Sequence, residues 1–528
     1  MTVVSTATRQ IARAAGTVMA AFLLTQIIGL LRGIIIYRAF GAGADLDSFN
    51  AANRVAELLF NLMAGGALGS AFIPTFTGML AQEQRPQAWR LASSIANLLL
   101  LVLSLAAGLA MLFAPWLVRH GLFILAPDLP PSQEALTVTL LRLLLPTVAI
   151  FGLSGLVMGI LNAHQRFWLP AIAPAMYSLG QIAGVLLLPQ AWGVYRLAAG
   201  ALAGALLHLL VQIPGLLRLG GSYTRSLGLR MPEVRQVMAL MGPRILGVAV
   251  VQLNFIVNTI IALSLPEGSV SAISLAFALM LMPQAAIAQS AAIAAMPTFS
   301  AQAALGRLDE LRASLASTLR VVLLLALPAM AGVIALRLPL VRFLYEGGEF
   351  TAHSTQLVTW ALLWYALGLV GHCLVEILSR AYYALQDTRT PVAVGAAAMT
   401  LNVIFSLAFS AWFERLGWMP HGGLALANSL ATALEAAALL MLMRRRLGGL
   451  GGRLLPRSVL QAAAASLAMG LALWGWLWLA GGLAPWLAAA GGLALGVLIY
   501  VLAALALGVP ELRRAPAYLR KFIASRRS

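Results

Sequence analysis

Between Arg90 and Arg119 the chain reads LASSIANLLLLVLSLAAGLAMLFAPWLV, from Leu91 to Val118, without one ionisable side chain. Coiled as a helix at about 1.5 Å per residue, this run more than covers the ~30 Å hydrocarbon core of a bilayer. Working outward from it, runs of the same kind fill the chain, punctuated by Gly, Pro and Arg. Fourteen candidate helices emerge, at approximately 16–39, 47–80, 91–118, 136–162, 168–189, 195–217, 236–264, 270–296, 314–336, 356–385, 391–413, 422–443, 458–481 and 484–508. The reading is an all-α polytopic membrane protein with fourteen transmembrane helices.

Composition supports it. Of 528 residues 61% are apolar and 10% charged, against about a quarter charged in soluble proteins. A soluble enzyme, a disulfide-stapled secreted protein and a disordered chain are excluded. The net charge of +18 would suggest nucleic acid in a soluble protein. Here the basic residues sit in turns between apolar runs, so they report topology and no nucleic-acid partner. Arg9, Arg13, Arg85, Arg90, Arg166, the 218–235 and 307–320 groups, Arg380, Arg389 and everything basic from Arg444 onward fall on one side, 25 of 35. Arg119, Arg196, Arg337, Arg342 and Arg415 fall on the other. The bias places both termini in the cytoplasm. Arg9 and Arg13 precede an apolar stretch without a small-residue cleavage site, which reads as an uncleaved first span. The one cysteine, Cys373, reads as a packing residue inside an apolar run.

Two patterns recur. Ala71-Phe72-Ile73-Pro74-Thr75-Phe76 resembles Ala294-Ala295-Met296-Pro297-Thr298-Phe299. Asn162-Ala163 with Pro170 resembles Tyr383-Ala384 with Pro391. Their offsets, 223 and 221 residues, nearly agree. Six helices therefore repeat as six more in the same orientation, two lobes related by a pseudo-twofold along the membrane normal. The last two helices follow the basic linker Arg444–Arg457. The expected domains are 1–220, 221–446 and 447–528, the first two being lobes able to rock about a cleft.

Charged groups in mid-span cost on the order of 2.5–3.5 kcal/mol each, so they carry the most weight. The second helix holds Asp47, Asn50, Arg54, Glu57 and Asn61 at steps of three and four, one face of a helix. Such a stripe is expected to line a wet cavity, with a buried Arg54–Glu57 network as the structural alternative. The first helix offers Gln26 and Arg32 nearby. Asn254 and Asn258 share a face of the seventh helix, where helix–helix hydrogen bonding explains them equally well. Glu376 and Arg380 read as a local i, i+4 ion pair. Glu435 stands isolated and receives no role. No Walker loop, no metal-ligand spacing among the six His and no Ser/His/Asp set is present. Neither catalytic residue, metal nor cofactor is expected: the chain reads as a transporter.

Asn162-Ala163-His164-Gln165-Arg166-Phe167 with Pro170, Met241-Gly242-Pro243 with Leu246-Gly247, and Tyr383-Ala384-Leu385-Gln386-Asp387-Thr388-Arg389-Thr390-Pro391 resemble the MurJ (MviN) lipid II flippase family. Phe40-Gly41-Ala42-Gly43 with Asp47, and Ala71–Pro74, resemble it too. The two-lobe pattern is shared with the wider multidrug/oligosaccharidyl-lipid/polysaccharide exporter superfamily. The resemblance implies a monomer in the bacterial plasma (inner) membrane that flips undecaprenyl-pyrophosphate-linked peptidoglycan precursor from the cytoplasmic to the outer leaflet. It implies a cationic cavity for the pyrophosphate and a lipid-tail groove at the last two helices. Arg32 and Asp47 match family residues, and Arg54 falls where the family commonly has a basic one. Gln26, Phe60 and Ala278 stand where characterised members carry arginines, and Gly33 and Leu281 where they carry acids. The substrate-binding set is therefore expected among Arg32, Arg54, Asp47, Asn50, Glu57, Asn61 and Gln26. Two further readings stay open, a flippase for another polyprenyl-linked oligosaccharide and a non-transporting membrane scaffold.

Overall fold

The computed structural model describes residues 24–63, 67–449 and 454–509. These are helical nearly throughout, with one isolated β-bridge between Gly347 and Phe350. Helix α1 covers residues 24–40. There follow α2 (Ala44–Met63), α3 (Ala67–Ala81), α4 (Arg85–Leu112), the short α5 (Ala114–Leu117), α6 (Pro131–Leu144), α7 (Pro146–Ala163), α8 (Trp168–Leu187), α9 (Tyr195–Leu210) and α10 (Ile213–Leu217). Then come α11 (Pro232–Leu263), α12 (Ser269–Gln284), α13 (Ser290–Ala304), α14 (Leu308–Tyr345), α15 (Ala352–Leu367), α16 (Leu369–Ala384), α17 (Arg389–Arg415), α18 (His421–Arg446), α19 (Leu454–Leu479) and α20 (Pro485–Ala506). Ten helical segments are long and apolar enough to cross a membrane, and the pair α15–α16, bent by 47°, makes an eleventh. Residues 24–40, α2–α3 and α11 occupy the other three expected spans, so each of the fourteen falls on helix where it is described. The stretches 16–23, 64–66 (with Gly65 and Gly66) and 450–453, and the basic tail after residue 509, lie outside the described residues.

The repeat is visible in backbone geometry. Pro74 lies inside α3 and Pro297 inside α13. Glu83 (φ 59°) and Gly306 (φ 68°) take the left-handed conformation at the 223-residue offset of those prolines. In both turns a closing bond returns to the helix: Gln84 N–H to Met79 O at 3.0 Å and Arg307 N–H to Gln302 O at 2.9 Å. At the 221-residue offset, Gln165 (φ 59°) and Gln386 (φ 58°) do the same. Arg166 N–H reaches Leu161 O at 2.9 Å, and Asp387 N–H reaches Tyr382 O at 3.0 Å. These are Schellman-type stops, which satisfy helix-end carbonyls otherwise left in an apolar medium. A left-handed non-glycine residue costs about 1–2 kcal/mol, which the closing bonds offset.

The chain forms two compact units. The first contains the described residues up to Ser271 together with Gly347–Phe350, and the second contains the rest. Packing thus assigns α11, which lies along α2 and α3, to the first unit, although the repeat counts it as the first helix of the second copy. Within the first unit α8 and α9 meet through glycines. A Cβ on Gly180 or Gly184 would strike the backbone at Gly204 or Gly200. Within the second unit α19 and α20 dock on α14. Leu324, Leu336, Ala462, Ala465, Met469 and Leu473 form the core of that contact, and Tyr500 donates its hydroxyl to Leu324 O at 2.5 Å.

Candidate functional site

Helix α2 builds the site. Asp45 and Asp47 in its first turn complement the positive end of the helix dipole. Leu46, Phe49, Ala52 and Ala56 form its buried face and hold it against α6, α7 and α11. Asn50, Asn53, Arg54, Glu57 and Asn61 are half-buried along another side. The spacing expected from sequence is therefore realised, but the stripe divides into two parts with different surroundings.

The part at the start of α2 is a clasp. Asp47 is only 4% exposed, so this member of the stripe is not solvated. Its Oδ2 accepts from Gly268 N–H at 2.8 Å and its Oδ1 from Ser271 N–H at 2.7 Å. Asn50 donates to the Ser271 hydroxyl at 3.2 Å, Tyr37 donates to Ser271 O at 2.9 Å, and Ala44 N–H donates to Glu267 Oε1 at 2.9 Å. The end of α1 is tied as well. Glu349 N–H donates to Arg38 O at 2.9 Å, and Phe350 meets Tyr37 edge to face. A carboxylate accepting buried N–H bonds contributes about 1.5–3 kcal/mol per contact. Segments 267–271 and 347–350 are thus fastened over the α1–α2 turn.

Deeper along α2 the groups are looser. Arg54 Nη1 lies 2.8 Å from Glu57 Oε2, with side chains 28% and 43% exposed. Asn53 donates to Glu57 Oε1 at 2.8 Å. The Arg54 guanidinium stacks on the Phe255 ring of α11, 5.1 Å from its centroid. Arg32 donates to Gln181 Oε1 at 3.2 Å, and Gln181 donates to the Tyr177 hydroxyl at 3.2 Å. Gln181 stands between Gly180 and Gly184, so the close α8–α9 contact sets its position. Tyr177 lies in the electrostatic reach of both Arg32 and Glu57. Hydrogen bonds therefore link α1 to α8 through Gln181. The buried Arg32 Nε has no hydrogen-bond partner among the described residues. Buried guanidinium donors without acceptors fit an oxyanion, diphosphate above all, because the planar fork binds two oxygens at once. Asn61 is half-buried further along the same face, and Gln26 is exposed on α1.

The remaining polar groups sort locally. Asn258 donates to Asn254 O at 3.0 Å. Arg142 donates to Met111 O at 3.1 Å on an apolar flank. Glu435 lies against Gly395 of α17, and Cys373 is buried. Among the described residues no group of three or more His, Cys, Asp or Glu is placed to hold a metal ion. Sequence reasoning named Glu376 and Arg380 as an ion pair but did not join His372 to them as one face. His372, Glu376 and Arg380 follow one another at four-residue steps on α16, and the Glu376–Arg380 pair stands at 3.0 Å as expected. The signal that would have found this face is the four-residue recurrence of polar residues in an otherwise buried helix.

The family model of the lipid II flippase MurJ matches residues 36–484. The lipid II flippase MurJ of Burkholderia cenocepacia is 32% identical over 444 residues, 82% of this chain and 84% of that protein. A probable lipid II flippase MurJ of Vibrio cholerae is 28% identical over 447 residues, 82% of this chain and 83% of that one. Among solved structures, a lipid II flippase MurJ in an inward closed conformation aligns with TM-score 0.78 at 22% identity, covering 92% of this chain and 97% of that one. An inward-facing multidrug resistance MATE transporter aligns with TM-score 0.67 at 15% identity, covering 80% and 94%. At these identities the two structures speak to the fold.

Proposed function

Because the chain belongs to the lipid II flippase MurJ family, we propose that it translocates lipid II across the membrane in peptidoglycan synthesis, with Arg32 and Arg54 holding the pyrophosphate. It is a multi-pass membrane transporter, not an enzyme. The observation that carries the site assignment is the buried Arg32 Nε without an acceptor among the described residues, in the hydrogen-bonded set Arg32–Gln181–Tyr177, beside the half-exposed Arg54–Glu57 pair of α2. A diphosphate sheds part of its hydration on entering, and guanidinium donors in a partly dry site replace those contacts. Glu57, Asn61 and Gln26 complete the polar face, and Glu57 holds Arg54 when no phosphate does.

Asp47 and Asn50 take the second role, closure. With the clasp made, the outer ends of α1 and α2 are covered and substrate reaches Arg32 and Arg54 from the cytoplasmic side. With the clasp broken, the site discharges outward. This orientation follows the Arg bias, which puts both termini in the cytoplasm of a bacterial inner-membrane protein. The lobes that rock correspond to the repeats, 1–220 and 221–446, with 447–528 as an added helix pair. The polyprenyl chain stays in hydrocarbon, where each CH₂ is worth about 0.8 kcal/mol. The exposed Leu460, Leu467, Leu471, Trp474 and Trp478 of α19 offer it an apolar flank.

The test is lipid II translocation by purified protein in vesicles. Arg32→Ala with Arg54→Ala is expected to abolish transport while the protein still folds, and Lys at either position restores part of it, keeping charge without the bidentate fork. Wild-type rates in the double variant would make both arginines structural.

A further inference from the structure

Helix α16 repeats α7. Their ends, Ala384 and Ala163, and the starts of the helices before them, Ala352 and Pro131, all stand at the 221-residue offset of the Gln386 and Gln165 turns. On that register His372, Glu376 and Arg380 occupy the places of Phe151, Gly155 and Gly159. The first repeat thus builds this helix with no charge at all. A Cβ on Gly155 would meet nothing within 4 Å, so that position borders open space. The charges of α16 are not a requirement of the scaffold.

Their setting is specific. Helix α16 is packed by α13, α14 and α18, and Cys373, Ile377, Leu378, Ala381 and Tyr382 are buried in those contacts. Glu376 and Arg380 remain 23% and 40% exposed, with Tyr383 beside them also exposed. The charged strip of the helix is therefore not covered by its neighbours. His372 fixes the far end, its Nε2–H donating to Asn428 Oδ1 at 3.1 Å, and lies edge-on to Phe277. The near side is closed by the π-helical turn that follows Gln284 and packs on α16. Gln284 is buried, and its Oε1 has no hydrogen-bond partner among the described residues. π turns within helices concentrate at functional sites. Glu376 Oε1 accepts from both Arg380 Nε, at 3.3 Å, and Nη2, at 3.0 Å. One carboxylate oxygen thus occupies the edge of the guanidinium that a phosphate would use.

We propose that Arg380 is a loading station for the diphosphate of the substrate, and that Glu376 is the built-in competitor that occupies it between cycles. The proposal rests on the flippase reading above and on its orientation. Arg380 lies four residues from the end of α16, about 6 Å along the axis and on the cytoplasmic side. A diphosphate arriving from the cytoplasm displaces Glu376 from Arg380, and no bond is made or broken except hydrogen bonds. When the anion leaves Arg380, Glu376 returns and prevents back-binding.

The experiment is translocation of fluorescent lipid II in phosphatidylcholine–phosphatidylglycerol vesicles as a function of its mole fraction, with inorganic pyrophosphate as competitor. Arg380→Ala is expected to raise the half-saturating mole fraction about tenfold, the loss of one charge-assisted contact, with the maximal rate changed less than about twofold. It should also lose competition by pyrophosphate. Arg380→Lys should recover most of the affinity. Glu376→Gln should act in the opposite direction, lowering half-saturation and slowing the maximal rate, because the diphosphate meets no competitor and leaves slowly. A structural pair would instead make both variants fail together, with lowered melting temperature. Where Arg380→Ala does not fold, Arg380→Gln carries the same test. Unchanged half-saturation in a folded Arg380 variant beside an active wild type overturns this proposal alone. A wild type that does not move lipid II overturns the functional reading and this proposal with it.

Discussion

In the first repeat the charges stand on α2, at Arg54 and Glu57, while α7 carries Phe151, Gly155 and Gly159. In the second repeat the arrangement is reversed. Helix α12 has no ionisable residue from Ala272 to Pro283, while α16 carries His372, Glu376 and Arg380. The α2 pair Arg54–Glu57 and the α16 pair Glu376–Arg380 are both part-exposed, but they stand on helices that are not counterparts. The turns behave oppositely: Glu83 and Gly306, and Gln165 and Gln386, take the same backbone conformation at matching places. Features shared by both copies are those that end helices and allow packing. Features that differ are the ones with no packing need, and in a membrane interior an unneeded charge is costly enough to demand a function.

The largest effect that can break this contrast lies on α2. Arg54→Ala is expected to lower lipid II translocation at least about 100-fold, the equivalent of roughly 2.7 kcal/mol of lost charge-assisted contacts. Ala278→Ser on α12, an exposed position, is expected to leave the rate within about twofold, since no charge operates there. Equal losses at the two positions, measured in the same vesicles, would mean that the two helices contribute alike and that the asymmetry is incidental.

The next effect concerns the clasp. Asp47→Ala removes both acceptors for Gly268 and Ser271 and leaves two buried N–H groups orphaned. Unfolding of the first unit should become easier by about 3 kcal/mol, and Asp47→Asn, which keeps one acceptor, by about half of that. Melting of the detergent-solubilised protein, followed by tryptophan fluorescence, measures it. In translocation the same variants should leak toward the outward-discharging state, seen as faster labelling of a cysteine placed at Ser271. An Asp47→Ala protein with unaltered melting and labelling would remove the clasp from the mechanism.

Much of this architecture was legible in the sequence, and the reasons are physical. A bilayer admits few solutions, so hydropathy gives the spans without any tertiary information. The α2 stripe was legible because helical spacing is local. What each member does was not. Asp47 looked like a cavity acid, yet its partners are 221 and 224 residues away. The Arg32–Gln181 link spans 149 residues, and Gln181 gave no sign of it in a run of apolar neighbours. On α16 the Glu376–Arg380 pair was visible as a helix-stabilising contact. Its exposure could be read only once α13, α14 and α18 were seen to cover every other side.

The smallest effect distinguishes the two matched turns themselves. Asp387 has Arg166 as its counterpart in the first repeat. Asp387 Oδ1 accepts from Thr390 N–H at 3.0 Å, and its Oδ2 accepts from the Thr390 hydroxyl at 2.8 Å and from Arg446 at 2.5 Å. The turn lies outside the spans, and these donors, led by the Thr390 backbone N–H, hold the carboxyl below its ordinary value of 3.8. The unfolded turn therefore takes up a proton before the folded one does. The contribution of Asp387 is fully present above the ordinary carboxylate value and is lost as pH falls through the depressed one. Acid should loosen the 385–390 turn and its tie to Arg446, while the 164–167 turn, with an arginine in that place, stays insensitive. Amide hydrogen exchange on the intact protein in detergent, stepped down through pH 4 and below, resolves the two turns separately once intrinsic exchange is divided out; these pH values are about where an Asp of ordinary pKa titrates. Asp387→Asn should raise exchange of the second turn slightly at neutral pH, as expected for an exposed pair, and should abolish its extra acid response. An acid response that survives in Asp387→Asn, or that appears equally at residues 164–167, would assign it to the bundle as a whole and leave the two turns equivalent in charge as they are in backbone.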